Sequence, residues 1–512
     1  MAALAATAAA WVPSRAAAWH RRHAPQQQRI THCNPTPQLP RRSPPITPAA
    51  AAAAAASTPT AGYDELLRWC IEAKQLPPLA VEPAAVDGEV GAPPRPAFLA
   101  ARDVAVGEAV LAVPGDLAVT SVDVGKDAAL AALAEGRSEL VGLALWLMQE
   151  RDKGAASEWA PFLATLPRAT LSPILWPDEE RQQLLRGSPV LQEARTREQA
   201  LRQEWQQIAE AMAAAGSSAA YPAAVFNEQA FLEAMSVVLA YAAYLPSAQC
   251  FALLPLVGGF RRTGSAAGAV LDYDLERQAV TLVAQRPYSA GQEVSIYDGR
   301  PNGELLLATG TLEAGNPADC LFMETGLVAA DRMYTTKRQI LEELGLGVRA
   351  EFPITQDSIT TQQLVYLRMA RLQDPAQLAK INFEQDTIIS QENEYEILQL
   401  MMGDLRDRLH AYASEYDDDV KDLQRRDLTP QQRLAAQLRL GEKRILRGTM
   451  DGVRRRLAPI RGIPTKSGGM QDPNADLIEI FDTIEQLPSA PKKLLDGFGR
   501  WLSGKDDPDW KR

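Results

Sequence analysis

The feature of this chain that most constrains its fold is a hydrophobic period that switches three times along the sequence. From Phe98 to Val124 the apolar residues come in short runs, Ala109 to Pro114 and Leu117 to Thr120, punctuated by Gly107, Pro114 and Gly115. That pattern predicts strands and turns. From Leu140 to about Tyr244 the spacing turns helical, with Leu143 to Met148 as one buried face and Gln192 to Ala214 as a long amphipathic run. Strand character returns at Gly268 to Tyr273, Ala279 to Ala284 and Glu293 to Tyr297. Beyond Val328 nearly every segment reads as helix, including Arg338 to Leu344, Thr361 to Leu372, Glu392 to Tyr412 and Gln431 to Met450. Small β pieces around a helical insert, followed by an all-helical domain, predict an α+β chain. No period of 20–50 residues recurs, which argues against a solenoid.

The first acidic residues are Asp64 and Glu65; ahead of them stand Arg15, Arg21, Arg22, Arg29, Arg41 and Arg42 among Ala, Ser, Thr and Pro. This is the composition of an organelle transit peptide, predicted as a disordered segment over 1–62. Composition alone leaves plastid and mitochondrion both open. The helical spacing that begins at Tyr63 opens the folded part. No run of apolar residues outside the alanine-rich leader is long enough to span a membrane.

The same counts exclude several chemistries. Setting aside the six leader arginines leaves 47 basic against 64 acidic residues, a net charge of −17 that repels nucleic-acid phosphate. His20, His23 and His32 lie in the leader, leaving His410 alone beyond it, so histidine triads and histidine metal sites are not expected. Cys33, Cys70, Cys250 and Cys320 are too scattered for a zinc cluster. There is no P-loop or dinucleotide glycine turn.

Ordered motifs then point to a family. Arg102-Asp103-Val104, Gly107-Glu108 and Val113-Pro114 are followed by Trp146 to Gly154, Trp159 to Leu163, Leu166-Pro167 and Leu184 to Leu191. Further on come Asn302 to Leu307, Gly310, Asn316-Pro317, Asn393-Glu394 and Glu442 to Leu446. In this order they resemble the Rubisco large-subunit methyltransferase-like group of SET-domain proteins, the plastid protein-lysine methyltransferases. The resemblance implies a SET-type knotted β core over 63–327 with its helical insert at about 140–245. An all-α substrate-binding domain over 328–460 and a linker with a C-terminal amphipathic helix over 461–512 follow. It implies S-adenosylmethionine as cofactor, no metal, methyl transfer to lysine, and a plastid protein substrate gripped by the helical domain. Chloroplast stroma is the implied location, with mitochondrion as the alternative.

The site residues depart from that pattern. A family Gly-Leu-Gly cofactor turn corresponds to Arg95, Pro96 and Ala97, and Pro94 and Pro96 remove N–H donors. The family's Asn-His-Ser falls on the segment Leu256 to Thr263, where Arg261 and Arg262 replace an amide and an imidazole. An arginine common upstream is Ala242. Tyr297, five residues before Asn302, matches the catalytic tyrosine, although a one-residue shift puts Asp298 there; a strand aromatic is the plainer reading of Tyr297. The second family tyrosine is Thr309. Two functions therefore stand: a protein-lysine methyltransferase using Tyr297, or a catalytically inactive SET-like protein-binding module. The acidic run Asp417-Asp418-Asp419 reads as a solvated loop or a helix cap, and the tail helix as packing on its own domain or as a partner or membrane-surface contact.

Overall fold

The computed structural model describes residues 61–74, 76–77, 79–86, 95–214 and 221–460. The leader up to residue 60 and the linker and helix expected over 461–512 lie outside the described residues. The first helix, α1 (Ala61–Lys74), is followed by β1 (Val81–Val86), β2 (Arg95–Ala100) and β3 (Ala109–Pro114). The insert carries α2 (Glu139–Lys153), the short α3 (Asp178–Leu185), α4 (Pro189–Ala214) and α5 (Glu228–Tyr241). Six strands come next: β4 (Ala242–Leu245), β5 (Cys250–Leu253), β6 (Arg261–Thr263), β7 (Val270–Asp274), β8 (Ala279–Val283) and β9 (Ser295–Tyr297).

These strands are short because Gly, Pro and charged residues interrupt every apolar run, and so they form small ladders rather than one sheet. β1 pairs antiparallel with β2, β4 with β5, and β8 lies between β3 and β7. Single bridges such as Leu99 to Glu293 and Val119 to Leu253 stitch the ladders together. β9 is the strand that matters most for the site. It runs parallel to β6, while the Tyr297 N–H donates to the Ala269 carbonyl and the Asp298 N–H to the Thr263 carbonyl. A late strand thus passes between two stretches of an earlier loop. Gly268 permits the passage, since a Cβ there would lie 2.8 Å from the Tyr297 backbone nitrogen.

One apolar core, running in sequence from Tyr63 to Ile296, joins the ladders to α2, α4 and α5. Leu143, Leu145 and Leu147 of α2 are wholly buried in it, together with Val237 and Val238 of α5. Each such side chain contributes about 2 kcal/mol of transfer free energy.

The second half contains α6 (Asn302–Thr309), β10 (Leu321–Gly326), α7 (Tyr334–Glu343), β11 (Arg349–Ile354), α8 (Thr361–Arg371), α9 (Gln391–Ala411), α10 (Tyr416–Gln424) and α11 (Pro430–Leu457). The region read as all-helical therefore also holds a strand. β11 pairs antiparallel with β10, and its buried Phe352 and Ile354 alternate with more exposed residues, a period of two too short to stand out in sequence. Pro353 is tolerated because a two-stranded ladder is all edge. The 28-residue α11 is started by a Thr429–Gln432 capping box with Pro430 in its first turn, and ends on Arg454, Arg455 and Arg456, which complement its dipole.

Of the two readings of the acidic run, the helix cap holds and the solvated loop does not: the Glu415 N–H donates to Asp418 Oδ2 at 3.3 Å. Asp417, Asp418 and Asp419 form the first turn of α10. Asp419 is fully buried, 2.6 Å from Arg439 Nη2 and 2.5 Å from Lys443 Nζ on α11. Those two cations offset the cost of burying the carboxylate.

A small apolar cluster, with Trp176, Leu185 and Val190 from the insert, Leu306 and Leu307 from α6, and Ala435 and Leu438 from α11, ties the halves together. Beside it Gly187 has φ +89°, and a Cβ there would lie 2.5 Å from the Tyr412 backbone nitrogen. Gly187→Ala is therefore expected to lower stability by about 2 kcal/mol or more, read as a lower denaturation midpoint. An unchanged midpoint would show that residues 187 and 412 do not touch in solution.

Candidate functional site

The parallel pair of β6 and β9 sets Arg261, Arg262 and Thr263 beside Ser295, Ile296 and Tyr297. The structure thus brings the Asn-His-Ser positions next to the candidate tyrosine. Tyr297 ends its strand 43% exposed, and its hydroxyl lies against Gly299, within 2.6 Å of where a Cβ at 299 would be. Thr309 plays no comparable part: its hydroxyl donates back to the Leu305 carbonyl inside α6.

Charge dominates this site. Arg262 turns inward; its Nη2 donates to the Ala240 carbonyl at 2.8 Å, and its Nη1 to Asp298 Oδ2 at 3.1 Å. Arg300 binds the same carboxylate, with Nη2 also donating to Asp298 Oδ2, at 2.7 Å, and Nε to Oδ1. Asp298 is only 3% exposed at its side chain, against about a quarter for each arginine. Burial pushes the Asp298 carboxyl up, but Arg300 and Arg262 outweigh that and hold it below the usual carboxylate range. Burial draws the Arg262 guanidinium down, with Asp298 opposing. The charges continue to alternate outward, for Glu304 lies near Arg300 and takes both terminal nitrogens of Arg197 on α4 at 3.0 and 2.7 Å. Arg197 in turn donates to Glu193 at 2.7 Å.

A second set of pairs lies on the more open side. Arg95 Nη2 sits 2.8 and 3.0 Å from the two oxygens of Glu293. Arg261 reaches the same carboxylate at 3.7 Å and Glu313 at 3.5 Å. Glu313 also accepts from the Thr263 hydroxyl and the Gly264 N–H, both at 2.6 Å. Below this set an aromatic stack fills the interior. Phe98 lies on Phe260 at 4.5 Å between centroids, with Tyr63 edge-on to Phe98 at 5.8 Å.

Would S-adenosylmethionine fit these residues? The three positions that match its glycine turn are in β2, paired in register with Val86, Ala85 and Ala84. The side chain of Arg95 reaches through Glu293 to Arg261. The two segments that the resemblance assigns to the cofactor are thereby joined by a salt bridge of the protein itself, and their polar groups are committed to one another. They do not fit the cofactor in the manner of the family. No cluster of three or more His, Cys, Asp or Glu side chains suited to a metal occurs among the described residues.

The motif Asn302-Gly303-Glu304-Leu305 proves to be a brace. Asn302 donates from its backbone and side-chain nitrogens to Asp319 at 2.9 and 3.0 Å, and accepts the Glu313 N–H at 3.0 Å. Sequence reading found Arg95, Arg261, Arg262 and Tyr297, and Asp298 only as an alternative at the tyrosine's place; it missed Glu293 and Glu313, and it missed Asp298 as a partner of the arginines. The partners of Arg95 and Arg262 stand 198 and 36 residues away, beyond the reach of any local pattern.

Comparison with known proteins gives the frame. The Rubisco LSMT substrate-binding family model matches residues 328–446. Actin-histidine N-methyltransferase of Gallus gallus is 25% identical over 371 residues, covering 68% of this chain and 62% of that protein. The chain thus spans less than two thirds of the length of that relative. The chloroplastic Rubisco large-subunit N-methyltransferase of Nicotiana tabacum is 22% identical over 377 residues, 70% of this chain and 76% of that one. The structure of Rubisco LSMT bound to AdoMet superposes with a TM-score of 0.62 at 18% identity, over 85% of this chain and 99% of that chain. The SET domain of LSMT bound to lysine and AdoHcy gives 0.63, at 18% identity over 80% and 95%. The fold is that of the SET-domain LSMT structures, with a C-terminal helical substrate-binding region, and the relatives are protein methyltransferases. No helix among the described residues is long and apolar enough to cross a membrane.

Removing the carboxylate between two guanidiniums is costly, because it leaves both cations short of a partner. Asp298→Ala is expected to cost about 3 kcal/mol, whereas Glu293→Ala, in a more open pair, costs about 1 kcal/mol or less. Because Asp298 is held below its unfolded value, its contribution is present above about pH 4 and is lost as pH falls through the folded value. Chemical denaturation from pH 3 to 7 should show less acid destabilisation in Asp298→Ala than in the wild type.

Proposed function

We propose that this chain is a SET-fold protein-binding module that grips a folded protein, in plastids, through its helical half and has given up methyl transfer at the family's cofactor place. The observation that carries this reading is the Arg95–Glu293–Arg261 bridge. It links the two segments between which the family's cofactor would be held, with side chains in place of a glycine turn and an amide. Losing several preorganised polar contacts, each worth about 1–3 kcal/mol, weakens a ligand by orders of magnitude. The match of residues 328–446 to a substrate-binding family supports a protein partner. The chloroplastic tobacco relative and the acid-free, arginine-bearing leader support the plastid.

A second reading, protein-lysine or protein-histidine methyl transfer from S-adenosylmethionine with Tyr297 at the reacting centre, is favoured by one observation. Arg262 faces Asp298, so its charge is neutralised and does not oppose a sulfonium. The two readings part on calorimetric titration of the chain, lacking residues before Tyr63, with S-adenosylmethionine. The binding-module reading expects no heat up to millimolar cofactor. Micromolar binding would overturn it, and Tyr297→Phe should then lower methyl transfer to plastid protein by about a hundredfold while leaving cofactor affinity unchanged.

A further inference from the structure

The joint between the insert and α11 holds a buried acid that neither reading uses. Glu442 is 4% exposed. Its Oε1 lies 2.8 Å from the Ser188 hydroxyl, which belongs to the loop between α3 and α4. Its Oε2 lies 2.9 Å from the hydroxyl of Tyr412, the residue that closes α9. The neighbouring cations offer little relief. Arg439 is engaged with Asp419 and with the Leu184 carbonyl, and Lys443 with Asp419 and Ser414. Arg408 of α9 faces the Tyr412 side of the group.

A second carboxyl stands nearby, half-buried. Asp319, held by Asn302, lies against the same turn of α11, its Oδ2 3.5 Å from where a Cβ at Gly441 would be. Cys320 adjoins Asp319. Like charges enclosed together cannot both stay ionised cheaply. Burial, reinforced by Asp319, lifts the Glu442 carboxyl to about 7 against the pull of Ser188, Tyr412 and Arg439. Burial lifts Asp319 as well, against the hydrogen bonds from Asn302.

We propose that Glu442 is a proton-operated latch between the SET-fold core with its insert and the helical half. The closed joint holds a proton on Glu442, and the joint loosens when that proton leaves. When the joint opens, Glu442 returns to water and to an ordinary carboxyl affinity, so opening releases a proton. Opening therefore becomes easier as pH rises from about 4.5 to about 7 and levels off above that. The helical half is held firmly in mild acid and is freer to adjust around a partner at neutral and alkaline pH.

The test is hydrogen exchange of the full chain at pH 5.5 and 7.5, corrected for intrinsic rates and read over residues 184–191 and 412–419. Wild-type protection should fall roughly twentyfold between the two pH values. Glu442→Gln, a neutral isostere, should show no such fall. Should that variant fail to fold, Asp319→Asn removes the nearby charge and should move the transition to lower pH. Equal wild-type protection at both pH values, or a wild-type pH response in both variants, would overturn the latch. The outcome is independent of whether the chain binds S-adenosylmethionine.

Discussion

One carboxylate, Asp298, sits between two guanidiniums at the crossing of β6 and β9, and the arrangement around the site follows from that. Arg262 can be turned inward because an anion awaits it. Arg300 shares the same carboxylate, and through Glu304 and Arg197 the alternation of charge reaches α4 of the helical insert. The core strand, the segment after it and the insert are thus fixed relative to one another by charges that would be unaffordable singly. Desolvation penalises each ion by several kcal/mol, and the penalty is offset only while every partner is present.

Much of the architecture was legible in the sequence because periodicity is a local signal. The switch from short apolar runs to a helical insert and back is visible in Ala109 to Pro114, Leu143 to Met148 and Ala279 to Ala284, and each became the expected kind of element. What escaped was short or long-range. β11 is only six residues, too few to outvote the helices around it. Asp419 read as solvated because its two cations stand twenty or more residues downstream on α11. At the site, the arginines were conspicuous as departures from a family pattern, but their carboxylates were not, since salt bridges carry no sequence period.

The relatives are methyltransferases, and the fold is theirs, yet a fold fixes where a site can be and not what it does. In this chain the glycine-turn positions carry Arg95, Pro96 and Ala97, and Arg95 pairs with Glu293. The arginines that depart from the family pattern form ion pairs with Glu293, Asp298 and Glu313.

The passage of β9 between the β6 end and Ala269 carries a consequence for how the chain is made. Residues 295–297 pair with the loop at 261–269, and the loop is held in shape partly by Asp298, which arrives with the strand. Loop and strand therefore depend on each other and stand or fall as one cooperative unit. Partners such as Arg95 and Glu293 stand nearly two hundred residues apart in sequence. Pairings across such separations close long loops, and that entropy is lost before the contacts compensate it, which is the general reason non-local topologies fold more slowly than local ones.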